Sequence, residues 1–352
     1  MDTLQYKCPN CGAELQYKAD RQKFGCDYCL SEYTEEEIKT VCSEQENTDL
    51  SQNVDEAAEA EFTGGNLYVC NTCGAEIMSD QNTAATFCVY CHSPVILKGR
   101  LSGEYRPNCV LPFELGKDKA LEIFKEKMGK KKFTPSDFMS AQTLEKMTGL
   151  YVPFWLAGCN VNAHMSAIGK HTRTWNSGNY KYCETKEYAV ERDARITFDG
   201  VPADGASKIE DSLMDAIEPF DYSKMKPFSM SYLSGFLADR FDVDKGAVFP
   251  RIREKVDKAS RDILSSTIEG YSSVDVGSFR NNIMSTKWSY SLLPLWFMTY
   301  KYNGKTYEYA VNGQTGNMAG MPPLSKKKLL GVCAAIVLIG TILAGLGGYL
   351  LS

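Results

Sequence analysis

Apolar residues between positions 105 and 323 follow two different periods, and the first of them is helical. They fall on one face of a helix in the segments 118–128 and 250–264, and Pro135 opens a further helical stretch towards Met147. This spacing is typical of amphipathic helices that bury one side, and Pro250 suits a first helical turn. We therefore expect three helices in this part of the chain.

The second period is that of strands. The segments 159–167 and 188–198 alternate apolar and polar residues, and a further alternating region surrounds Asn303-Gly304. Alternation indicates strands with one buried face, and Asn-Gly is the strongest short signal for a β-hairpin. Helices and antiparallel strands together predict an α+β domain over residues 105–323.

Two short segments of that domain resemble each other. Tyr151–Leu156 and Leu292–Phe297 carry proline and tryptophan at the same spacing. Proline followed by an aromatic run suits the entry to a strand, where tryptophan commonly packs a sheet onto helices. We interpret the resemblance as structural, and a ligand-stacking role for the tryptophans is the alternative.

The end of the chain is apolar without interruption. Leu329–Leu351 contains no charged residue, and a helix of this length, at about 1.5 Å per residue, could cross a bilayer core of about 30 Å. Lys326, Lys327 and Lys328 precede it and form a membrane-proximal basic group. By the positive-inside rule we expect a single-pass protein of the cell membrane, with a transmembrane helix at 329–351 as tail anchor and the N-terminal domains in the cytoplasm. The alternative is a buried core helix.

Small residues recur every four positions within this segment, at Gly340, Ala344 and Gly348. Such a stripe lets two membrane helices approach closely. It predicts membrane helix packing, through which the chain could form a homo-oligomer.

Eight of the cysteines form two sets with the same spacing, C-x2-C-x14-C-x2-C. The sets are Cys8, Cys11, Cys26 and Cys29, and Cys70, Cys73, Cys88 and Cys91. Each pair places two thiolates on one tight turn, so that four sulfurs can surround a metal tetrahedrally. Glycine follows the second cysteine of each leading pair, at Gly12 and Gly74, where positive φ favours it. We predict two zinc ribbons, at residues 1–34 and 66–100.

The expected cofactor is Zn²⁺ in two structural sites. Four thiolates leave no open position for water or substrate, which argues against catalysis at the metal. Iron bound by the same thiolates is the main competitor, and disulfides are a further alternative. Zinc is favoured because a cytosolic compartment keeps thiols reduced.

Acidic residues dominate the stretch between the ribbons. The segment 31–65 holds eleven Asp or Glu and one basic residue, Lys39, which predicts an acidic flexible linker at 35–65 and loosely tethered ribbons. The whole chain carries a formal charge of −5. A protein that binds phosphate backbones normally shows a basic excess, so nucleic acid is an unlikely partner.

No catalytic pattern emerges from the sequence. Gly304-Lys305-Thr306 imitates the end of a phosphate-binding loop, but Thr299 stands where that loop needs glycine. The three histidines form no metalloprotease pattern. We expect a protein that is not an enzyme.

The chain resembles a bacterial family of TFIIB-type zinc-ribbon membrane proteins, the YdjG-like proteins. The resemblance lies in the paired ribbons, the apolar end, and the segments Gly149–Trp155, Ile217–Asp221 and Tyr232–Phe236. It implies an association with phage-shock (PspA-like) and SPFH-domain proteins in an envelope-stress or scaffold complex.

The function expected from these features is that of a membrane-anchored adaptor or scaffold. Its zinc ribbons would dock protein partners at the cytoplasmic membrane surface, and the resemblance implies SPFH-domain or PspA-like proteins as those partners. A membrane-tethered regulator that binds nucleic acid through the ribbons is one alternative. An enzyme with an unrecognised site in the α+β domain is the other.

Overall fold

The computed structural model describes residues 3–38, 66–70, 73, 75–79, 82–88, 93–97 and 100–351. The strands with described bounds are β1 Thr3–Leu4, β2 Leu15–Lys18, β3 Lys23–Cys26, β4 Glu32–Tyr33, β5 Asn66–Val69, β6 Glu76–Ser79, β7 Thr83–Phe87, β8 Pro94–Leu97, β9 Cys109–Val110, β10 Thr148–Ser177, β11 Tyr180–Asp204, β12 Lys226–Pro227, β13 Leu237–Asp239, β14 Ser273–Tyr302, β15 Lys305–Asn312 and β16 Met318–Ala319. The helices are α1 Lys117–Gly129, α2 Ala141–Leu144, α3 Asp211–Ala216, α4 Lys245–Ser266 and α5 Lys326–Leu351. The predicted α+β class is confirmed.

The largest sheet joins eleven of the described strands in the order β1-β8-β7-β13-β10-β14-β15-β16, with β11 on β10, and β9 between β14 and β12. Strands β10 and β14 are each 30 residues long and β11 has 25. These three run antiparallel side by side, with β10 between β11 and β14.

The predicted helices differ in how closely they match the structure. The apolar stripe of 118–128 becomes α1, which buries Ala120, Phe124 and Met128. The helix predicted from Pro250 begins earlier, because the Asp244 carboxylate accepts a hydrogen bond from the Ala247 backbone N–H and caps α4. Pro250 therefore lies inside the helix. The stretch after Pro135 is helical only over α2.

The α+β domain contains two copies of one unit, a short strand, a helix and a hairpin. The first copy is β9-α1-β10-β11 and the second is β13-α4-β14-β15. The short strands are exchanged, since β9 pairs in parallel with β14 and β13 pairs in parallel with β10. Each unit therefore completes the sheet of the other.

Equivalent hydrogen bonds support this internal repeat. The Trp155 indole donates to the Val243 carbonyl over 2.9 Å, and the Trp296 indole donates to the Leu115 carbonyl over 2.8 Å. Val243 and Leu115 hold the same place in the two units, because the backbone N–H of each donates to a glycine carbonyl, of Gly205 and Gly313 respectively. Both indoles are buried, as the structural interpretation of the sequence resemblance expects.

Both ribbons are built onto this domain. In ribbon 2, β7 pairs with β13, and β8 pairs with β1 at the start of ribbon 1. In ribbon 1, Tyr17 packs edge-on against Tyr232 of the α+β domain, and Phe24 packs against the same ring at a tilt. The described parts of the ribbons thus share a sheet and a core with the domain, which differs from the loose tethering expected. Residues 35–38 are helical, and the rest of the predicted linker, 39–65, lies outside the described residues.

The predicted membrane anchor is not supported. Helix α5 exists, but among the described residues no helix is long and apolar enough to cross a membrane. The side chains of α5 are described as far as Thr341. The prediction of a transmembrane tail anchor at 329–351, and with it a single-pass location in the cell membrane, is wrong.

The residues assigned to that anchor lie on helix α5. Lys326, Lys327 and Lys328 form its exposed first turn. Gly340 has open space around it. The side chains of Ala344 and Gly348 lie outside the described residues.

Candidate metal centres

The four cysteines of ribbon 1 converge as their spacing predicts. Their sulfurs all lie within 4.8 Å of one another, with Sγ–Sγ distances of 3.6 Å between Cys8 and Cys29 and 3.5 Å between Cys11 and Cys26. A disulfide would bring two sulfurs to about 2.05 Å. Metal–sulfur bonds of about 2.3 Å in a tetrahedron place the sulfurs about 3.8 Å apart. The cluster therefore fits four thiol ligands around one ion.

The backbone positions these thiols by two equivalent turns. The N–H of Cys8 donates to the Ala13 carbonyl over 2.7 Å, and the N–H of Cys26 donates to the Ser31 carbonyl over 3.0 Å. The strands β2 and β3 pair between the two turns. Each turn closes on the fifth residue after its first cysteine, which directs both sulfurs of a pair towards the opposite turn.

Ribbon 2 repeats this geometry. The N–H of Cys70 donates to the Ala75 carbonyl over 2.8 Å, and that of Cys88 donates to the Ser93 carbonyl over 2.9 Å. The sulfurs of Cys70, Cys73 and Cys88 lie within 4.8 Å of one another. The fourth predicted ligand, Cys91, lies outside the described residues, as does Gly74. Two cysteine clusters able to hold a metal are thus present.

Polar groups around the ribbon 1 cluster support the sulfurs, and the sequence alone did not single them out. The Ser31 hydroxyl lies 3.2 Å from the Cys29 sulfur and accepts a hydrogen bond from the Asn10 amide. The Tyr33 hydroxyl lies 3.6 Å from the Cys8 sulfur. Hydrogen bonding from Ser31 lowers the pKa of the Cys29 thiol to about 5, which favours the thiolate that a metal requires. Only their closeness in sequence to the cysteines could have pointed to these residues.

The second turn of ribbon 1 carries two exposed apolar side chains. Tyr28 is 83% exposed and Leu30 is 81% exposed, on either side of Cys29. Leu30 also has a positive φ of 59°, which is unusual for a residue with a branched side chain. The turn is held in place by the Leu30 N–H, which donates to the Cys26 carbonyl over 3.0 Å.

The comparison with known proteins gives one clear relative, the uncharacterized protein YdjG of Bacillus subtilis (strain 168). The two sequences are 33% identical over 326 residues, which cover 93% of this chain and 92% of that protein. The chain belongs to the YdjG family. No protein-family profile matches it, and no solved structure does. YdjG kinship therefore extends across the ribbons and the α+β domain together, and the TFIIB-type description of the ribbons stays a prediction.

Three of the four basic residues of ribbon 1 contact carboxylates. Lys18 lies 2.8 Å from Asp27, and Arg21 and Lys23 both contact Glu32. These pairs compensate much of the positive charge that a phosphate backbone would need.

Away from the ribbons, the densest cluster of charges surrounds α4. Arg251 contacts Asp204, Asp211 and Asp215, each over 2.9 Å. Burial raises the pKa of Asp204 above its usual range, although the charge of Arg251 opposes this. One Asp204 oxygen, Oδ2, is buried without a hydrogen-bond partner. The cluster ties α4 and α3 to the end of β11.

A second pair extends this cluster. Lys255 lies 2.8 Å from both Asp215 and Glu218. Burial raises the pKa of Glu218, and Lys255 opposes that change. We interpret these charges as structural, because every cation is directed at a carboxylate of a neighbouring element.

His164 and the tripeptide Gly304-Lys305-Thr306 lie in the large sheet and its β14–β15 hairpin. His164 Nδ1 lies 2.9 Å from an Asp193 oxygen on the open face of the β10–β11 sheet. Gly304-Lys305-Thr306 lies at the β14–β15 hairpin, where Asn303 and Gly304 both have positive φ.

Proposed function

We propose that this protein is a zinc-stabilised adaptor in which ribbon 1 presents Tyr28 and Leu30 to a protein partner. The observation that carries the proposal is the exposure of these two side chains on a turn that also carries Cys26 and Cys29 of the metal cluster. The apolar pair is therefore held by the cluster rather than by burial.

Zinc is the ion we propose for both clusters. Four thiol ligands at tetrahedral spacing suit zinc, and a fully thiolate-bound zinc has no open position for chemistry. We accordingly propose a structural rather than a catalytic metal. Metal analysis of the purified protein tests this, with about two zinc ions per chain expected from two closed sites. Iron at that stoichiometry would overturn the assignment.

Exposure of Tyr28 and Leu30 carries a cost that a partner would remove. Large apolar side chains exposed together commonly mark interaction sites, and tyrosine is enriched among residues that dominate binding energy. The left-handed backbone of Leu30 adds strain, which proteins tend to retain where it serves function. A turn fixed by metal also loses little entropy on binding.

The relevant partners to test are those that the sequence resemblance implies, SPFH-domain and PspA-like proteins. Docking through ribbon 1 would bring such a partner next to the α+β domain, because the ribbon packs on that domain through Tyr17 and Phe24. The ion pairs that engage Lys18, Arg21 and Lys23 favour a protein partner over nucleic acid.

The test compares partner binding by the full chain and by the variant Tyr28→Ser/Leu30→Ser. A photo-crosslinking amino acid at position 28 first identifies the bound protein, which is then purified for affinity measurement. We expect the double variant to keep its zinc and to bind at least tenfold more weakly, because removal of two central apolar contacts costs roughly 2 kcal/mol or more.

The control replaces two other exposed apolar residues, Met284 and Met321, which are 60% and 82% exposed, with serine. This variant should bind as the wild type does. Equal affinity of the Tyr28→Ser/Leu30→Ser variant and the wild type would show that ribbon 1 is not the docking site.

A further inference from the structure

A two-stranded arm projects from the central sheet. Pairing of β10 with β14 ends at Lys170 and Ser273, whereas pairing of β10 with β11 continues to Ser177 and Tyr180. We call residues 171–187 the arm. All of these residues are exposed, on both faces of the two-stranded arm. Gly178, in the turn at its tip, has a φ of 58°. An isolated pair of strands is marginally stable, so the arm gains from added pairing.

The outer edge of β11 offers such pairing. Within the described part of the chain, β11 pairs with β10 and with no other strand. An edge leaves a row of backbone N–H and C=O groups unpaired, and such an edge can template the addition of another strand. The edge of the arm carries no proline or glycine between residues 180 and 190 that would discourage this.

The side chains along this edge are complementary to themselves when the strand is reversed. Four residues alternate on one face of the strand in the order Tyr182, Glu184, Lys186 and Tyr188. Thr185 lies at the midpoint. A second copy running antiparallel about Thr185 places tyrosine opposite tyrosine and glutamate opposite lysine.

We propose that two copies of this chain associate by antiparallel pairing of their β11 edges around a twofold axis at Thr185. Glu184 then faces the partner's Lys186, Tyr182 faces the partner's Tyr188, and both contacts occur twice. The two arms become one continuous sheet of four strands, β10-β11 of one copy and β11-β10 of the other.

The charges select this register. A twofold axis perpendicular to the sheet keeps each residue on its own face, so alternative registers place the axis on a neighbouring residue. An axis at 184 sets Glu184 against its own copy, and an axis at 186 does the same to Lys186. Like charges directly opposite each other are unfavourable. Of these three axes, only the one at Thr185 avoids both like-charge contacts and places Glu184 opposite Lys186.

The neighbouring strand β10 extends the same pattern. Trp175 stacks on Tyr182, with ring centroids 5.6 Å apart, so the partner's Tyr188 would continue an aromatic row. Arg173 lies opposite Glu184 in the β10–β11 register and would continue the charged row. Within one chain Lys186 already lies 3.7 Å from Glu184. Exposed ion pairs add little affinity, so we expect these charges to select the register. The affinity would come from the backbone pairing and the aromatic rows.

The first experiment is disulfide trapping in the full-length protein. Thr185→Cys is made in a Cys183→Ser background, which removes the exposed thiol of the arm. The new thiol then lies opposite the same thiol of the second copy, across the twofold axis. Mild oxidation should produce a covalent dimer. The matched control is Ala189→Cys in the same background, because Ala189 lies on the same edge but faces the partner's Lys181. Equal crosslinking of the two variants, or none from Thr185→Cys, would overturn the proposal.

The second experiment uses charge exchange, with dimerisation measured by analytical ultracentrifugation. Glu184→Lys alone and Lys186→Glu alone should each weaken the dimer by about tenfold, because each creates two like-charge contacts. The double variant Glu184→Lys/Lys186→Glu should regain wild-type affinity. A monomeric wild type, or a double variant as weak as the two single changes combined, would contradict the pairing. Zinc content and partner binding through Tyr28 should be unchanged in every variant, which separates this proposal from the adaptor function.

Discussion

Leu30 stands out at the scale of single residues, because its backbone is left-handed and its side chain lies almost wholly in solvent. A non-glycine residue in the left-handed region destabilises the folded state by about 1–2 kcal/mol. Glycine avoids this strain but lowers stability by about 0.5–1 kcal/mol through its greater conformational freedom in the unfolded chain. The fold would therefore be served at least as well by glycine at position 30, as at Gly12 of the first turn, where φ is 72°.

We expect Leu30→Gly to raise the free energy of unfolding by up to about 1 kcal/mol while weakening the partner interaction. Chemical denaturation of the zinc-loaded protein measures the first effect. Leu30→Ala is the control, since it removes the same exposed side chain but keeps the strained backbone. A gain in stability from alanine equal to that from glycine would show that strain at this residue is unimportant.

Asp204 gives a prediction of pH dependence. Because burial raises its pKa in the folded state, the folded protein takes up a proton before the unfolded chain does. As the pH falls from that raised pKa towards the unfolded value of about 3.9, this group adds stability. We expect Asp204→Asn to remove this contribution, which appears as a change in the slope of unfolding free energy against pH.

Asp221 provides the control, because its pKa shifts in the other direction. Hydrogen bonds from Ser223 lower the pKa of Asp221, so its contribution is present above about pH 3.9 and is lost as the pH falls through the folded value. Asp221→Asn should therefore change the slope with the opposite sign. The same sign for both variants would contradict the assignment.

At the scale of elements, the repeated unit makes two distant tryptophans equivalent. Trp155 and Trp296 each donate an indole hydrogen bond to a backbone carbonyl of the other unit. We expect Trp155→Phe and Trp296→Phe to destabilise the protein by similar amounts, about 1–3 kcal/mol, because each removes the indole donor from a part-buried backbone carbonyl. Urea unfolding measures both.

Trp175 is the matched control for this pair. It is 42% exposed on the arm, so Trp175→Phe should change the unfolding free energy by no more than about 0.5 kcal/mol. A large difference between the two buried positions would argue against their equivalence.

The elements also show where sequence patterns are informative. Alternation at 159–167 correctly predicts a strand, because that segment faces α4 on one side and solvent on the other. The same strand continues to Ser177, where neither face is buried and polar residues such as Thr172 and Thr174 leave no alternation of apolar residues. Its length of 30 residues therefore could not be predicted. The exchange of β9 and β13 could not be predicted either, because strands of two or three residues are too short to show an alternating pattern.

At the scale of the whole molecule, the metal cluster of ribbon 1 belongs to the main core. Cys8 and Cys26 are buried in the same cluster as Phe113, Phe236 and Tyr151. We expect Cys26→Ser to lose one metal ion and to destabilise the entire fold by at least about 5 kcal/mol, because structural zinc contributes about 10–16 kcal/mol of binding energy in zinc-finger peptides.

Metal analysis and thermal unfolding followed by tyrosine and tryptophan signals test this together. Cys183→Ser is the control, because Cys183 is exposed on the arm and should change neither quantity. If Cys26→Ser alters the metal content but leaves the unfolding transition of the α+β domain unchanged, the ribbon is energetically independent.

Spacing of cysteines predicted the candidate site well at this scale, because ligand geometry is local. Seven of the eight predicted ligands lie in the two described clusters. Attachment of the ribbons depends instead on distant contacts, such as Tyr17 with Tyr232, which no local pattern encodes. The apolar end misled the prediction, because among the residues that the structure describes no helix is long and apolar enough to cross a membrane.

The exchange of β9 and β13 has a consequence for folding during synthesis on the ribosome. Cys109 pairs with Ser291, so β9 waits for its neighbour while about 180 further residues are translated, roughly 10–40 s at bacterial rates. During that time the nascent first unit exposes apolar surface that its counterpart will later cover. Neither unit can complete its sheet before the other has been synthesised. Chaperones therefore have a long time in which to bind the exposed apolar surface of the first unit.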